Sequence, residues 1–160
     1  MLKLSKKLRS RQREFKISKR SAFLLRHAGV TSICYSNGYA HVNYQGRGMR
    51  LHSLLMILLG HDLKGMEVDH KNRNKLDNRI SNLRISTRAQ NMGNIGARKK
   101  NSHGFKGIYF HRGIQRWAAN IGSPTKYLGS FKTKNEAAAA YNAAAKKYFG
   151  KFAKLNQIPK

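Results

Sequence analysis

The spacing of apolar residues changes along the chain, and each change predicts an element. From Thr31 to Leu51, Ile33, Tyr35, Tyr39, Val42 and Tyr44 are spaced like short strands, with turn signals at Asn37-Gly38 and Gly46-Arg47-Gly48. This meander runs into an apolar helix near Leu51 to Leu59, closed by Gly60. Met66 to His70 then reads as a strand, Lys71 to Asn82 as a polar loop and Leu83 to Ser86 as a second strand. A helix begins after Thr87, because Thr87 and Gln90 match a capping box. Gly93 to Gly104 holds three glycines besides Arg98-Lys99-Lys100 and reads as a flexible basic linker. Beyond it, Gly107 to His111, Arg116 to Ile121 and Lys126 to Phe131 alternate like three strands. Thr133 and Glu136 open a last helix that puts Ala137, Tyr141, Ala144 and Tyr148 on one face until Gly150. The expectation is an α+β chain: a basic segment over residues 1–30, a first domain over 31–95, a linker over 96–104 and a second domain over 105–157.

Charge adds a partner to this outline. The 160 residues carry 33 Lys and Arg against 6 Asp and Glu, a formal charge of +27, which calls for a polyanion. A membrane is excluded because no apolar run approaches the roughly 20 residues needed to span one, and nucleic acid remains. Residues 1–20 contain nine Lys and Arg and one Glu, without the apolar stretch of a secretory signal. They read as a solvated tail on an intracellular protein. Cys34 stands alone, which excludes internal disulfides and a zinc site built on several thiolates.

Hydrolysis of a phosphodiester requires an activated water, a cation to neutralise developing charge, and groups that fix the geometry. Asp69-His70 supplies candidates for the first two, where the strand ends and both neighbours can serve one site. The acids Glu14, Asp62, Glu67, Asp69, Asp77 and Glu136 are scattered, so one metal with one histidine fits better than a carboxylate-rich pair of metals. Oxygen ligands of this kind suit Mg2+, with Mn2+ as a substitute. Six of the 23 residues from Asn72 to Asn94 are asparagine, so Asn78 competes with Asn82, and Asn94 with Asn91, for any role assigned by spacing. Asp77 reads as a residue that braces its loop. His52, His61 and His103 read as structural or surface residues.

Val68-Asp69-His70, the run from Asp77 to Arg84, Gln90-Asn91 and Asn94 resemble the HNH endonucleases common in phages and mobile introns, over roughly residues 35 to 95. The resemblance implies a ββα-metal fold in which His70 is the general base and Asn82 hydrogen-bonds it. Asp69 and Asn91 would bind one divalent cation, with Asn91 on the first turn of the helix after Thr87.

The stretch from Gly104 to Asn156 is similar to AP2 domains, through Phe105-Lys106-Gly107-Ile108, Trp117 to Ile121, Leu128 to Phe131, Glu136-Ala137-Ala138, Ala140 to Ala144 and Leu155-Asn156. This resemblance implies a three-stranded antiparallel sheet backed by a helix, with the open sheet face in the major groove of duplex DNA. Alternation puts Tyr109, His111, Arg116, Asn120 and Tyr127 on that face. Lys106, Arg112, Lys126 and the linker residues Arg98, Lys99 and Lys100 would meet phosphates. Tyr109, His111, Gly122 and Thr125 stand where plant AP2 domains carry arginine, so their target sequences do not transfer. The composite expectation is a monomeric, site-selective homing or nicking endonuclease. The alternatives are a noncatalytic DNA-binding regulator and a basic RNA-binding protein.

Overall fold

The computed structural model describes residues 3–4, 14–97, 101 and 103–159, and the chain divides into two compact units, Met1–Thr87 and Arg88–Lys160. The predicted contacts of Arg98, Lys99 and Lys100 lie outside the described residues.

In the first unit, β1 (Lys3–Leu4) pairs in parallel with β2 (Ser32–Ser36), which continues through β3 (Tyr39–Tyr44) and β4 (Arg47–Arg50) as an antiparallel meander. Two tight turns set its register. Asn37 and Gly38 have φ of 48° and 87°, and Gln45 and Gly46 have φ of 50° and 76°, the paired positive values that match the twist of adjoining strands. The second turn thus precedes Arg47, which the sequence placed inside it. α2 (Leu51–Leu58) follows directly and buries Leu51, Leu54 and Leu55 completely against Ile33, Ala40 and Val42.

The N-terminal region departs from expectation after residue 14. α1 (Lys19–His27) is capped by Ser18, whose side chain accepts from the Ser21 amide at 3.0 Å, and Leu25 is fully buried in the same core as α2. Phe15 and Ile17 pack against that core too. The density of Lys and Arg around α1 masks a stripe that is apolar enough to fold.

β5 (Glu67–His70) and β6 (Leu83–Ser86) form a separate antiparallel pair in which Asp69 faces Arg84 and His70 faces Leu83. The polar segment between them ends in a 3-10 turn, Ile80–Asn82.

The second unit begins with α3 (Arg88–Asn94), then β7 (Ile108–His111), β8 (Arg116–Ile121) and β9 (Lys126–Phe131) in simple antiparallel order, and α4 (Lys134–Phe149). The expected capping box opens α4, with Thr133 accepting from the Glu136 amide and Glu136 accepting from the Thr133 amide. Its buried face is Ala137, Ala138, Tyr141, Ala145 and Phe149, whereas Tyr148 is 51% exposed. An alanine-rich helix carries little signal to choose between adjacent aromatics, and α3 decides it. Gly93 of α3 sits so close to Phe149 that a Cβ there would lie 2.6 Å from the ring. The structure therefore groups α3 with α4, ahead of the basic linker rather than behind it.

Candidate active site

The loop from Lys71 to Asn82 is closed by its own polar residues. The Lys71 amide donates to the Asn82 carbonyl at 2.8 Å, continuing the β5–β6 ladder by one bond. Asn82 then ties the loop from inside: its Nδ2 donates to Asn72 Oδ1 at 3.0 Å and to the Asp77 carbonyl at 2.8 Å, while its Oδ1 accepts from the Asn72 amide at 3.1 Å. Asn72 also donates to Asp77 Oδ2 at 2.8 Å, and Asn74 accepts from the Leu76 amide at 3.0 Å. Short polar side chains that satisfy nearby backbone are what a loop without regular structure needs. Asp77 is the brace the sequence suggested. The Arg79 guanidinium at 2.8 and 2.6 Å, outweighing the opposing effect of burial, holds its carboxyl down to about 2.

A second anchor comes from before α1. The Lys16 amide donates to the Leu76 carbonyl at 2.9 Å and the Asn78 amide donates to the Lys16 carbonyl at 2.7 Å. This pins Asn78, which is completely buried, where its Oδ1 lies 3.3 Å from His70 Nε2. The amide partner of His70 is thus Asn78, and the side chain of Asn82 is spent on the loop. With its oxygen toward the ring, Asn78 suits the tautomer that carries the proton on Nε2 and the lone pair on Nδ1. Burial, opposed by the Asn78 bond and by Asp69 and Asp77, lowers the His70 pKa below the usual 6.5. The ring is therefore neutral at physiological pH and able to take a proton.

His52, read from the sequence as a structural or surface residue, is a neighbour of this base. His52 of α2 is 3% exposed, its ring stands edge-on to that of His70 at 4.9 Å between centroids, and its Nδ1 has no hydrogen-bond partner. Burial, with the charges of His70, Arg50 and His41, pushes its pKa down to about 3. His52 is thus a neutral, permanently aromatic wall behind His70. His61 is exposed, and His103 stacks edge-on against Trp117 at 4.7 Å, as structural or surface residues do.

Asp69 is buried beside His70, and both the Nε and Nη2 of Arg84 converge on its Oδ2, at 2.8 and 2.7 Å. The buried Asp69 carboxylate is an oxygen donor of the kind a hard cation takes. No group of three His, Cys, Asp or Glu is gathered among the described residues, and Cys34 is exposed on β2. Asp69, a hard oxygen donor, suits a metal that takes the rest of its shell from water and substrate oxygens. Asn91, the other expected ligand, is carried by α3 in the second unit, as is Asn94, which is buried.

Residues 61–93 match the HNH endonuclease family model. The HNH segment holds Asp69, His70, Asn78, Asn82 and Asn91 together with the braced loop. The chain is also similar to an uncharacterized HNH endonuclease of Acanthamoeba polyphaga mimivirus, with 34% identity over 131 residues. That alignment takes in 76% of this chain and 64% of the relative, so the chain spans somewhat less than two thirds of the relative's length. No solved structure matches the chain.

Outside the matched segment, β7 alternates as expected, while in β8 Ala118, which strand alternation puts on the same face as Arg116 and Asn120, is buried, and β9 does not alternate. Ile108 is buried and Phe110 half-buried, while Tyr109 and His111 are exposed; His111 pairs with Arg116, and Tyr127 with Asn120 across a bulge. Arg112, Arg116, Lys126 and Tyr127 are exposed as well. Two residues differ from the rest. Asn120 is half-buried with an unpartnered Oδ1, in a cavity it shares with Met92, Ile108 and Tyr141. Lys106 donates through Nζ to the carbonyls of Met92 and Gly93 at 2.8 and 2.9 Å, closing the C-terminal end of α3, and burial pushes its pKa down to about 8. No described helix is long and apolar enough to cross a membrane.

Proposed function

We propose that this chain is a divalent-metal-dependent DNA endonuclease of the HNH type, with His70 as general base. The observation that carries the reading is the buried pair Asp69-His70, with Asn78 Oδ1 3.3 Å from the imidazole Nε2. In this mechanism His70 takes a proton from the attacking water at Nδ1 while Asn78 keeps the ring from turning. His52 closes the rear of the site to water with an uncharged ring. Asp69 and Asn91 would be the protein ligands of one Mg2+ or Mn2+. When bound, that cation polarises the phosphate and neutralises charge on the leaving oxygen. Asn82 acts on catalysis only through the loop it ties.

Duplex DNA is the substrate on this reading, and the exposed face of β7 to β9 is its AP2-like recognition surface. Tyr109, His111, Arg116 and Tyr127 face the bases or their edges, with Arg112 and Lys126 for phosphates. Asn120 contributes from the margin of that face. A single site in a monomer would nick one strand.

The test is conversion of supercoiled plasmid carrying a cognate site, with Mg2+ and with EDTA, by the wild type and by His70→Ala. The wild type should relax the plasmid only with metal, and the variant should lose about a hundredfold or more in rate. Cleavage by the variant at the wild-type rate would remove His70 from its role. Tight binding without cleavage by the wild type would favour the noncatalytic regulator.

A further inference from the structure

Two arginine–aspartate pairs stand in the first unit, and they are built differently. Arg79 grips Asp77 with one nitrogen on each oxygen, Nε on Oδ1 at 2.8 Å and Nη2 on Oδ2 at 2.6 Å. This fork engages both oxygens of the carboxylate, as suits a brace. Arg84 instead brings both Nε and Nη2 onto Oδ2 of Asp69, at 2.8 and 2.7 Å. The sheet holds that pair in place, because Asp69 and Arg84 are direct partners across β5 and β6. Both side chains are well covered, at 6% exposed for Asp69 and 16% for Arg84, so packing as well as charge fixes the contact.

The difference bears on what Asp69 can offer a cation. Each carboxylate oxygen has about two lone-pair directions, and two guanidinium nitrogens take up those of Oδ2. A cation therefore meets Asp69 through Oδ1. Ca2+ accepts a carboxylate through one oxygen or two and gathers roughly six to eight oxygens, whereas Mg2+ keeps a tight octahedron made largely of water. A carboxylate confined to one oxygen withholds a chelating ligand from Ca2+ and withholds nothing that Mg2+ needs. The charge on Arg84 repels every dication alike, so it lowers affinity without choosing among them.

We infer that Arg84 is a positioning residue that confines Asp69 to ligation through one oxygen and so biases the site toward Mg2+ or Mn2+ over Ca2+. The inference rests on the reading of Asp69 as a metal ligand and deepens it. Arg84 acts only through Asp69, in contrast to Arg79, whose two-oxygen grip closes Asp77 to the same use.

The experiment measures cation binding to the full chain without DNA. Mn2+ binding is followed by the electron paramagnetic resonance of the free ion, with Mg2+ and Ca2+ as competitors, for the wild type, Arg84→Lys, Arg84→Gln and Asp69→Asn. Arg84→Lys keeps the charge and gives up the fork. Because Mg2+ and Ca2+ carry the same charge, the ratio of their competition constants reports ligation rather than electrostatics. That ratio should shift toward Ca2+ by about tenfold in Arg84→Lys, and further in Arg84→Gln, as expected when a group that orients a metal ligand is lost. A second measurement needs no change at Arg84. Infrared difference spectra of the wild type with 13C-labelled aspartate should show one-oxygen ligation with Mg2+ and with Ca2+, in the band that Asp69→Asn removes. Thermal melting accompanies each variant, and the infrared result decides alone if both Arg84 variants melt early. Two-oxygen ligation of Ca2+ by Asp69 in the wild type, or an unchanged ratio in a folded variant, overturns the inference. Mn2+ binding that Asp69→Asn leaves unchanged removes Asp69 as a ligand and the inference with it. The nuclease reading fails separately: a chain that shows the shifted ratio but leaves plasmid uncut keeps the role of Arg84 and loses the nuclease. A chain that cuts plasmid while the ratio stays fixed in the variants does the reverse.

Discussion

Asn78 and Asn82 are the same residue type four positions apart in one loop, and the structure gives them different work. Asn78 meets the imidazole of His70, whereas every hydrogen bond of the Asn82 side chain goes to Asn72 or to the Asp77 backbone. Asn82→Ala should leave the Asn72 amide and the Asp77 carbonyl short of partners and cost about 1–3 kcal/mol of stability, read from the urea midpoint. Asn78→Ala should instead lower kcat by about ten- to a hundredfold by freeing the ring to turn. The Asn78 bond also raises the His70 pKa, so its loss should move the acidic limb of the pH–rate profile to lower pH, below a wild-type limb already under 6.5. If Asn82→Ala moves that limb and Asn78→Ala does not, the two assignments are exchanged. The sequence made Asp69-His70 legible, because a paired acid and base at a strand end is chemically unusual. It left Asn78 and Asn82 open, because among so many asparagines only the backbone of Lys16, distant in sequence, decides which one reaches the ring.

Elements with a strong local signature were readable for the same reason. The β2–β3 turn and the α4 cap are set by residues within a few positions of each other, Asn37-Gly38 and Thr133 with Glu136. What escaped depends on contacts far apart in sequence: α1 hides its apolar stripe among basic residues, and the grouping of α3 with α4 rests on Gly93 admitting Phe149. Lys106 belongs to that second kind. Its charge suggests a phosphate contact, yet its ammonium closes the end of α3. Lys106→Met should therefore lower the melting temperature, as the Met92 and Gly93 carbonyls each lose one of two donors, while the salt slope of DNA binding stays at the wild-type value. A slope lower by about 0.9 with unchanged melting would restore Lys106 to the DNA surface.

For the whole molecule, the division between Thr87 and Arg88 separates two proposed metal ligands that adjoin one short stretch of sequence. Asp69 stands in a unit with its own buried core, built on Leu25, Leu51, Leu54 and Leu55, so residues 1–87 have the packing to fold alone. Asn91 goes with α3, which belongs to the other unit. If both ligands hold the cation, folding the first unit is not enough for chemistry. A fragment of residues 1–87 should show the far-ultraviolet spectrum and cooperative melting of a folded unit, and should still bind DNA through its basic residues. It should not cut with Mg2+ at any concentration. In the full chain, Asn91→Ala should raise the Mg2+ concentration for half-maximal cleavage by at least about tenfold, as loss of a metal-orienting group does, with little change in DNA affinity measured without metal. Asn94→Ala serves as the comparison, since it shares the helix and is buried. A metal requirement that rises in the Asn94 variant alone would transfer the ligand to that residue. Cleavage by residues 1–87 at the full-chain rate would mean that Asp69 and its own unit suffice to hold the metal.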